Sequence, residues 1–401
     1  MFVESLYSNR SWLNANGMPD GVPRCLRKST PLISRFCCFV ILLGCSRSLF
    51  SQQAVTKPLR LAIAGMSHGH VDRILERSRD ADIQIVGIYE TDRGLTERYA
   101  KQYGLRQDTI FNDLEKMLDT VKPEAVTAFG TTYDHLRVVQ SAAPRAIHVM
   151  VEKPLAVDLK QARAIQALAH NTGIQVLTNY ETTWYPTTQA IYDLARDQQG
   201  IGPIRKIVVH DGHSGPKEIH VSAEFLKWLT DPVLDGGGAL MDFGCYGANL
   251  VTWLMNGAEP LSVTAVTQQI KPEVYPRVED EATILLTYPK VQAIIQASWN
   301  WPFDRKDIEV YGLLGYVQAL DKRRLRIRKH GDAEEHTSVS EESTIRFKDP
   351  FAYLSAVVRG EVIPTDNDLS ALGNNLVVMK ILTAAKESAA TGKTVKLAQY
   401  H

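Results

Sequence analysis

The residues best placed to do chemistry begin at a turn, Gly65-Met66-Ser67-His68-Gly69-His70, between an apolar run from Leu59 to Ala64 and a segment with helical spacing. A turn that cradles a dinucleotide pyrophosphate wants Gly-x-Gly-x-x-Gly: the chain must turn sharply, the backbone must approach the phosphates, and the helix must pack close to the strand. Gly65 is in register, but Ser67 and His70 stand where the second and third glycines would be, and Gly69 comes one place early. The strand-turn-helix context still offers backbone N–H groups to a phosphate. Glu90 ends the next apolar run, where an acid suits the adenosine ribose hydroxyls and repels a 2′-phosphate. NAD is therefore favoured over NADP, with Arg93 keeping the second option open.

Histidines raise the question of a metal. His68 and His70 form one set, and His210, His213 and His220 another. Neither has the closely spaced three or four ligands that mark a zinc site, so no metal is expected. The alternative roles are His70 capping the turn, and His210 and His213 lining a polar pocket at a strand end. Trp184, Tyr185, Trp299 and Trp301 offer flat apolar faces of the kind sugars stack on, or core.

The elements that must position these groups follow from hydrophobic periodicity. Leu59–Ala64, Ile83–Tyr89, 125–129, 148–151 and 175–177 read as buried strands, and 71–77, 95–103, 135–142 and 159–169 as amphipathic helices between them. This alternation demands a parallel sheet with crossover helices, a Rossmann-like half. Beyond it, 204–209, 262–268, 282–286, 292–297 and 308–311 read as strands without regular helices between them, an open, mainly antiparallel sheet. A long helical segment, 369–390, closes the chain and is placed to return to the first domain. The fold class is α/β, divided into a leader and linker (1–57), a Rossmann domain (58–180) and a substrate and oligomerisation domain (181–401).

At 401 residues and 44% hydrophobic, the chain has material for two cores. Lys plus Arg and Asp plus Glu both total 45, which gives no electrostatic case for nucleic acid or acidic membranes and points to a small, neutral substrate. In the leader, Arg24, Arg27, Lys28 and Arg35 precede an apolar run from Phe36 to Cys45, too short for the ~20 residues of a spanning helix but suited to a signal peptide. Export is expected, with Leu42-Leu43-Gly44-Cys45 similar to a lipidation box. A leader without function would leave the protein cytoplasmic. Four of the five cysteines lie in this leader, so no disulfide framework or cysteine zinc site is expected.

Two further motifs, Val151-Glu152-Lys153-Pro154 after a buried strand and Gly236-Gly237-Gly238-Ala239-Leu240-Met241-Asp242-Phe243-Gly244-Cys245-Tyr246, sharpen the picture. With His135, Glu279-Asp280-Glu281-Ala282 and Asp349-Pro350-Phe351 they resemble, in order and spacing, the Gfo/Idh/MocA family of oxidoreductases, from about Leu59 to Leu397. The resemblance implies a nicotinamide cofactor near Thr131, Glu152 and Lys153, and places Lys153 on the reacting hydroxyl, where an ammonium stabilises developing alkoxide charge. Many members carry an acid/base histidine where this chain has Tyr246, at i+4 from Asp242 and so on one helix face. A neighbouring Lys153 cation is expected to lower the phenol pKa from ~10, with Asp242 orienting the lysine or the sugar. Tyr180, Trp184 and His213 join Lys153, Asp242 and Tyr246 as substrate-binding residues. Thr131-Thr132 replaces the family's usual Pro-Asn, and Thr183 stands where many members have arginine, departures that bear on substrate.

Three functions compete: a sugar or polyol oxidoreductase, a redox-assisted glycoside hydrolase that recycles its NAD, and a non-catalytic sugar-binding protein. A homo-oligomer through the open sheet is expected. Export without a clear twin-arginine motif sits uneasily with a cofactor bound before transport.

Overall fold

A computed structural model describes residues 57–77, 82–197, 200–342 and 346–400; the leader and its charged and apolar segments lie outside the described residues. Six parallel strands form the first sheet: β1 (Leu59–Ala64), β2 (Ile83–Tyr89), β3 (Ile110–Phe111), β4 (Ala125–Ala128), β5 (His148–Glu152) and β6 (Val176–Asn179). Their order, β3-β2-β1-β4-β5-β6, is that of a dinucleotide-binding fold, with its switch point between β1 and β4. β4 and β6 are buried at every residue, as a sheet covered on both faces requires.

The covering helices start where side chains satisfy their first N–H groups. Asp92 caps α2 (Arg93–Tyr103), Asp113 caps α3 (Leu114–Val121) and Asp158 caps α5 (Leu159–Thr172). α1 (Val71–Arg77) and α4 (His135–Ala142) begin at the carboxyl edge of the sheet, beside the switch point.

α6 (Pro186–Arg196) leads to a second sheet of nine strands. These are β7 (Ile204–Gly212), β8 (Ser262–Gln268), β9 (Glu281–Thr287), β10 (Gln292–Ser298), β11 (Arg305–Gly312), β12 (Gly315–Ala319), β13 (Arg324–Lys329), β14 (His336–Val339) and β15 (Val395–Lys396). The order is β14-β13-β12-β11-β7-β10-β9-β8-β15, antiparallel throughout except where β7 runs parallel to β10. The fold class is therefore the expected one, with a single parallel pair in the second sheet. The strands and helices read from periodicity fall where expected, whereas β3, α3, α6 and β12 to β15 were not anticipated, and helices at Ala223–Leu229, Ala239–Asp242 and Gly244–Leu254 stand between β7 and β8, where strands without intervening helices were expected.

One face of this sheet is covered by α8 (Ala239–Asp242), α9 (Gly244–Leu254) and α11 (Leu372–Thr391). Every residue of α9 is buried. It lies so close to the sheet that a Cβ on Gly247 would stand 2.4 Å from the Ile295 side chain. The turn before α11 reaches the first sheet, where Thr178 donates its N–H to the Ser370 carbonyl at 2.9 Å. Between β7 and α8, a connection carrying α7 (Ala223–Leu229) returns to the Gly65–His70 turn. α10 (Pro350–Val358), capped by Asp349, packs beneath the first sheet.

Candidate active site

The turn after β1 is built for close approach. Gly65 has φ +85, and a Cβ there would stand 2.6 Å from the Gly130 Cα, so no other residue fits this crossing of the β1 and β4 ends. Several donors of the turn are taken internally: Met66 N–H by Glu90 Oε2 at 2.7 Å, His68 N–H by the Phe129 carbonyl at 2.9 Å, and His70 N–H by His68 Nδ1 at 3.1 Å. Among the described residues, the Ser67 and Gly69 amides remain as free donors. Gly65, Ser67, Glu90 and Thr131 line a cavity of about 270 Å³ together with Tyr89, Asp134 and Arg137. A concave space at the switch point, a glycine-only crossing and an acid at the β2 end fit the adenosine half of a dinucleotide. Arg93 instead pairs with Glu97 on the exposed face of α2. Arg137, which no motif marks, is the cation that lines the cavity.

The histidines of the turn exchange their expected parts, since His68, not His70, caps it. Phe225 and Trp228 of α7 pack on the His68 ring at 4.5 and 5.7 Å between centroids, and Glu224 pairs with Arg98 of α2. Burial holds His68 well below the usual histidine range, so it is neutral at pH 7. His70 Nδ1 meets Glu152 Oε2 at 3.0 Å, and Asn179 donates to Glu152 Oε1 at 2.8 Å. His68, His70 and Glu152 bring ligand atoms within 4.8 Å of one another, with His70 Nδ1 bonded to Glu152. His210 turns away from the cleft, onto Asp307 at 2.8 Å.

At the end of β5, Lys153 and Asp242 form an ion pair with side chains only 7% and 5% exposed. Lys153 Nζ also donates to the Asp242 carbonyl at 3.0 Å, and Trp299 Nε1 donates to Asp242 Oδ2 at 2.9 Å. Burial opposes both charges, but each partner outweighs it for the other: Lys153 is held above the usual lysine range and Asp242 below the usual carboxylate range. Both are therefore charged across the physiological range.

Asp242 and Tyr246 do not share one continuous helix, as the i, i+4 spacing suggests. α8 ends at Asp242, and the Tyr246 N–H bonds to the Phe243 carbonyl at 3.1 Å. The Asp242 carbonyl, which a continuous helix would give to Tyr246, accepts Lys153 Nζ and Cys245 Sγ instead. The Lys153 ammonium thus sits in the break between the two helices.

Tyr246 also departs from expectation. Lys153 Nζ lies 5.3 Å from its ring centroid, over the ring and not at the hydroxyl. Burial, reinforced by Glu181, raises its pKa well above 10 instead of lowering it. At neutral pH Tyr246 is a hydrogen-bond donor. A second ammonium, Lys306 of β11, lies 5.2 Å from the same ring and pairs with Glu181, whose pKa falls to about 2 as Lys306 overcomes the effect of burial.

These groups converge on a cavity of about 560 Å³ lined by Gly69, His70, Lys153, His213, Asp242 and Tyr246, together with Glu181, Tyr185 and Lys306. His213 Nδ1 accepts the Gly215 N–H at 2.9 Å, which leaves Nε2 to carry the proton. Burial keeps it neutral.

Tyr180 and Trp184, expected among the substrate-binding residues, do not line this cavity. Tyr180 is fully buried behind Tyr246, edge-on at 5.4 Å. Trp184 bonds Asn179 and packs on Tyr353. Trp299 is also buried, beneath Asp242. Glu279, from the Glu-Asp-Glu-Ala motif, accepts the Gly238 and Leu240 N–H groups at 2.9 and 3.2 Å and fixes the glycine run ahead of Asp242.

Comparison with known proteins agrees with this geometry. Residues 59–180 match the model of an oxidoreductase family with an NAD-binding Rossmann fold, and 193–318 match the Gfo/Idh/MocA C-terminal domain. The chain is 25% identical over 204 residues to an uncharacterized oxidoreductase of Synechocystis, a match spanning 51% of this chain and only about half (53%) of that relative. It is 23% identical over 364 residues to a D-xylose 1-dehydrogenase [NADP(+)] of Haloarcula marismortui, covering 86% of this chain and 95% of that one. An inositol dehydrogenase homolog from Azotobacter vinelandii, solved with NAD+, superposes with TM-score 0.72 at 19% identity over 86% of this chain and 98% of its own. The two family models together span more than half of the sequence, and the chain belongs to the Gfo/Idh/MocA family of NAD(P)-dependent oxidoreductases.

Proposed function

We propose that this protein interconverts a hydroxyl and a carbonyl on a sugar, polyol or similar small carbohydrate, with NAD in preference to NADP. The observation that carries the reading is the convergence of Lys153, Asp242 and Tyr246 on one cleft beside the Gly69–His70 end of the turn. A nicotinamide bound there would take or supply the hydride. The Lys153 ammonium, fixed by Asp242 and the helix break, holds the reacting oxygen and stabilises alkoxide charge on it. Tyr246, protonated at neutral pH, gives its proton to that oxygen as a carbonyl is reduced; in the oxidation direction its own proton must first pass to solvent before the phenolate takes the hydroxyl proton. His213 donates from Nε2 to a neighbouring substrate hydroxyl.

The acid Glu90 at the adenosine end supports NAD, because a 2′-phosphate beside it would be repelled. The sugar dehydrogenase and the inositol dehydrogenase homolog among the relatives support a carbohydrate substrate. The uncovered face of the nine-stranded sheet is the surface proposed for self-association, read by light scattering of the purified chain. Export by the leader remains part of the proposal, tested by fractionation with N-terminal sequencing.

Purified protein with NAD and a panel of aldoses, inositols, polyols and glycosides should reduce the nucleotide with at least one of them. Silence across the panel counts against the reading. Aglycone release without NADH accumulation replaces net oxidation by redox-assisted hydrolysis.

A further inference from the structure

We propose that the reaction cleft continues past Glu181 and Tyr185 into a second compartment, which binds an oxyanion carried on the far end of the substrate through Arg73, Lys322 and Lys348. The inference rests on the carbohydrate reading above and extends it to a glycoside or oligosaccharide with an acidic group, a carboxylate or a sulfate.

The compartment is a cavity of about 340 Å³ that shares Glu181, Tyr185 and Lys322 with the wall of the 560 Å³ cleft. The larger cleft must hold both the nicotinamide ring and the reacting unit, so a second unit of the substrate has this neighbouring space to enter. Trp184 and Tyr185 contribute aromatic surface to it, suited to the apolar face of a sugar or aryl ring.

Its charges do not balance. Arg73, Arg77, Lys322 and Lys348 line it against Glu181 and Asp349. The Arg77 charge is compensated, paired with both Asp82 and Asp349. Arg73 is not: its Glu181 partner stands 3.6 Å away and also serves Lys306. Lys322 likewise shares Glu342 with Arg323, at 3.3 and 2.9 Å. Lys348 has no ion-pair partner among the described residues. Three under-compensated cations thus rim one concavity, reached from α1, the β12–β13 turn and the start of α10. The balanced composition of the whole chain hides this local excess.

The test is equilibrium binding to the full-length, NAD-loaded protein of phenyl β-glucoside, 4-carboxyphenyl β-glucoside and 4-sulfophenyl β-glucoside. At low salt the anionic ligands should bind about tenfold tighter than the neutral one, as expected for two or three partly exposed ion pairs. The preference should shrink in 0.5 M salt (roughly a 4 Å screening length) and in Lys348→Gln and Arg73→Gln, while affinity for the neutral glucoside stays unchanged. The carboxylate and sulfate arms separate planar from tetrahedral anions. Equal affinity for neutral and charged ligands, binding of neither, or a preference that survives both substitutions overturns the proposal. NAD reduction is read alongside: anion preference without hydride transfer to NAD from any sugar keeps the subsite and removes the oxidoreductase reading. NAD reduction with no anion preference does the reverse.

Discussion

Lys153 and Asp242 can be tested as a unit through stability. Lys153→Met keeps most of the aliphatic stem but leaves Asp242 buried with only Trp299 as a side-chain donor. Asp242→Asn leaves a buried ammonium facing an amide. With both side chains under a tenth exposed, each single change removes one partner of a desolvated pair and should cost about 3–5 kcal/mol. If the two losses were additive, the double variant would lose roughly 6–10 kcal/mol, comparable to a whole domain's stability of about 5–15 kcal/mol. The double variant carries neither charge, so the predicted loss is no larger than that of either single, a coupling of about 3 kcal/mol or more. Equilibrium urea unfolding of the four proteins, followed by tryptophan fluorescence, measures it.

The sign with pH is fixed by the shifts. Asp242 lies below its unfolded pKa, so its contribution is present above about pH 4 and lost as acid protonates it; Lys153 lies above its unfolded pKa, so its contribution is present below about pH 10 and lost in strong alkali. The coupling should therefore be flat across neutral pH. Additive losses, or single losses under about 1 kcal/mol, would refute the buried pair.

Three further outcomes follow from other sites. Asp211 on β7 is buried with neither carboxylate oxygen bonded, and burial raises its pKa well above the usual range, so the folded state retains a proton that the unfolded chain sheds above about pH 4. Wild-type stability is penalised as pH rises through that window, and Asp211→Asn should gain on it by a few degrees of Tm between pH 4 and pH 8; a constant offset in thermal unfolding contradicts this. Gly65→Ala should abolish nucleotide retention, read by mass analysis of denatured protein, because its Cβ would meet Gly130 at 2.6 Å in a left-handed conformation that costs about 1–3 kcal/mol. Glu90→Ser should move the NADP-to-NAD ratio of kcat/KM toward NADP by about tenfold or more; an unchanged ratio removes Glu90 from cofactor choice.

How much was legible in the sequence divides along physical lines. Periodicity located the buried strands because continuous apolar runs such as Leu59–Ala64 leave few alternatives, and Gly65 was legible because only glycine fits its turn. The break after Asp242 was not, because it depends on a carbonyl captured by Lys153, 89 residues away in the chain. Lys306 and Glu181 look like ordinary surface charges until β11 and the β6 end bring them to Tyr246. Tyr180 shows the opposite error, expected to bind substrate yet buried behind Tyr246, while Trp299, read as a sugar face or as core, is core beneath Asp242. The direction of the Tyr246 shift also turned on geometry, since an ammonium over the ring leaves burial and the surrounding carboxylates dominant.

The most direct test of the central claim is single-turnover hydride transfer between NAD and an accepted sugar in wild type and Tyr246→Phe. The phenyl ring keeps the packing against Tyr180 and the two ammoniums, so nucleotide affinity and KM should change little while the transfer rate falls by about 10²–10⁴. Wild-type transfer in Tyr246→Phe, with the protein folded and NAD bound, would show that the proton moves elsewhere and that the chemistry is not where these three residues meet.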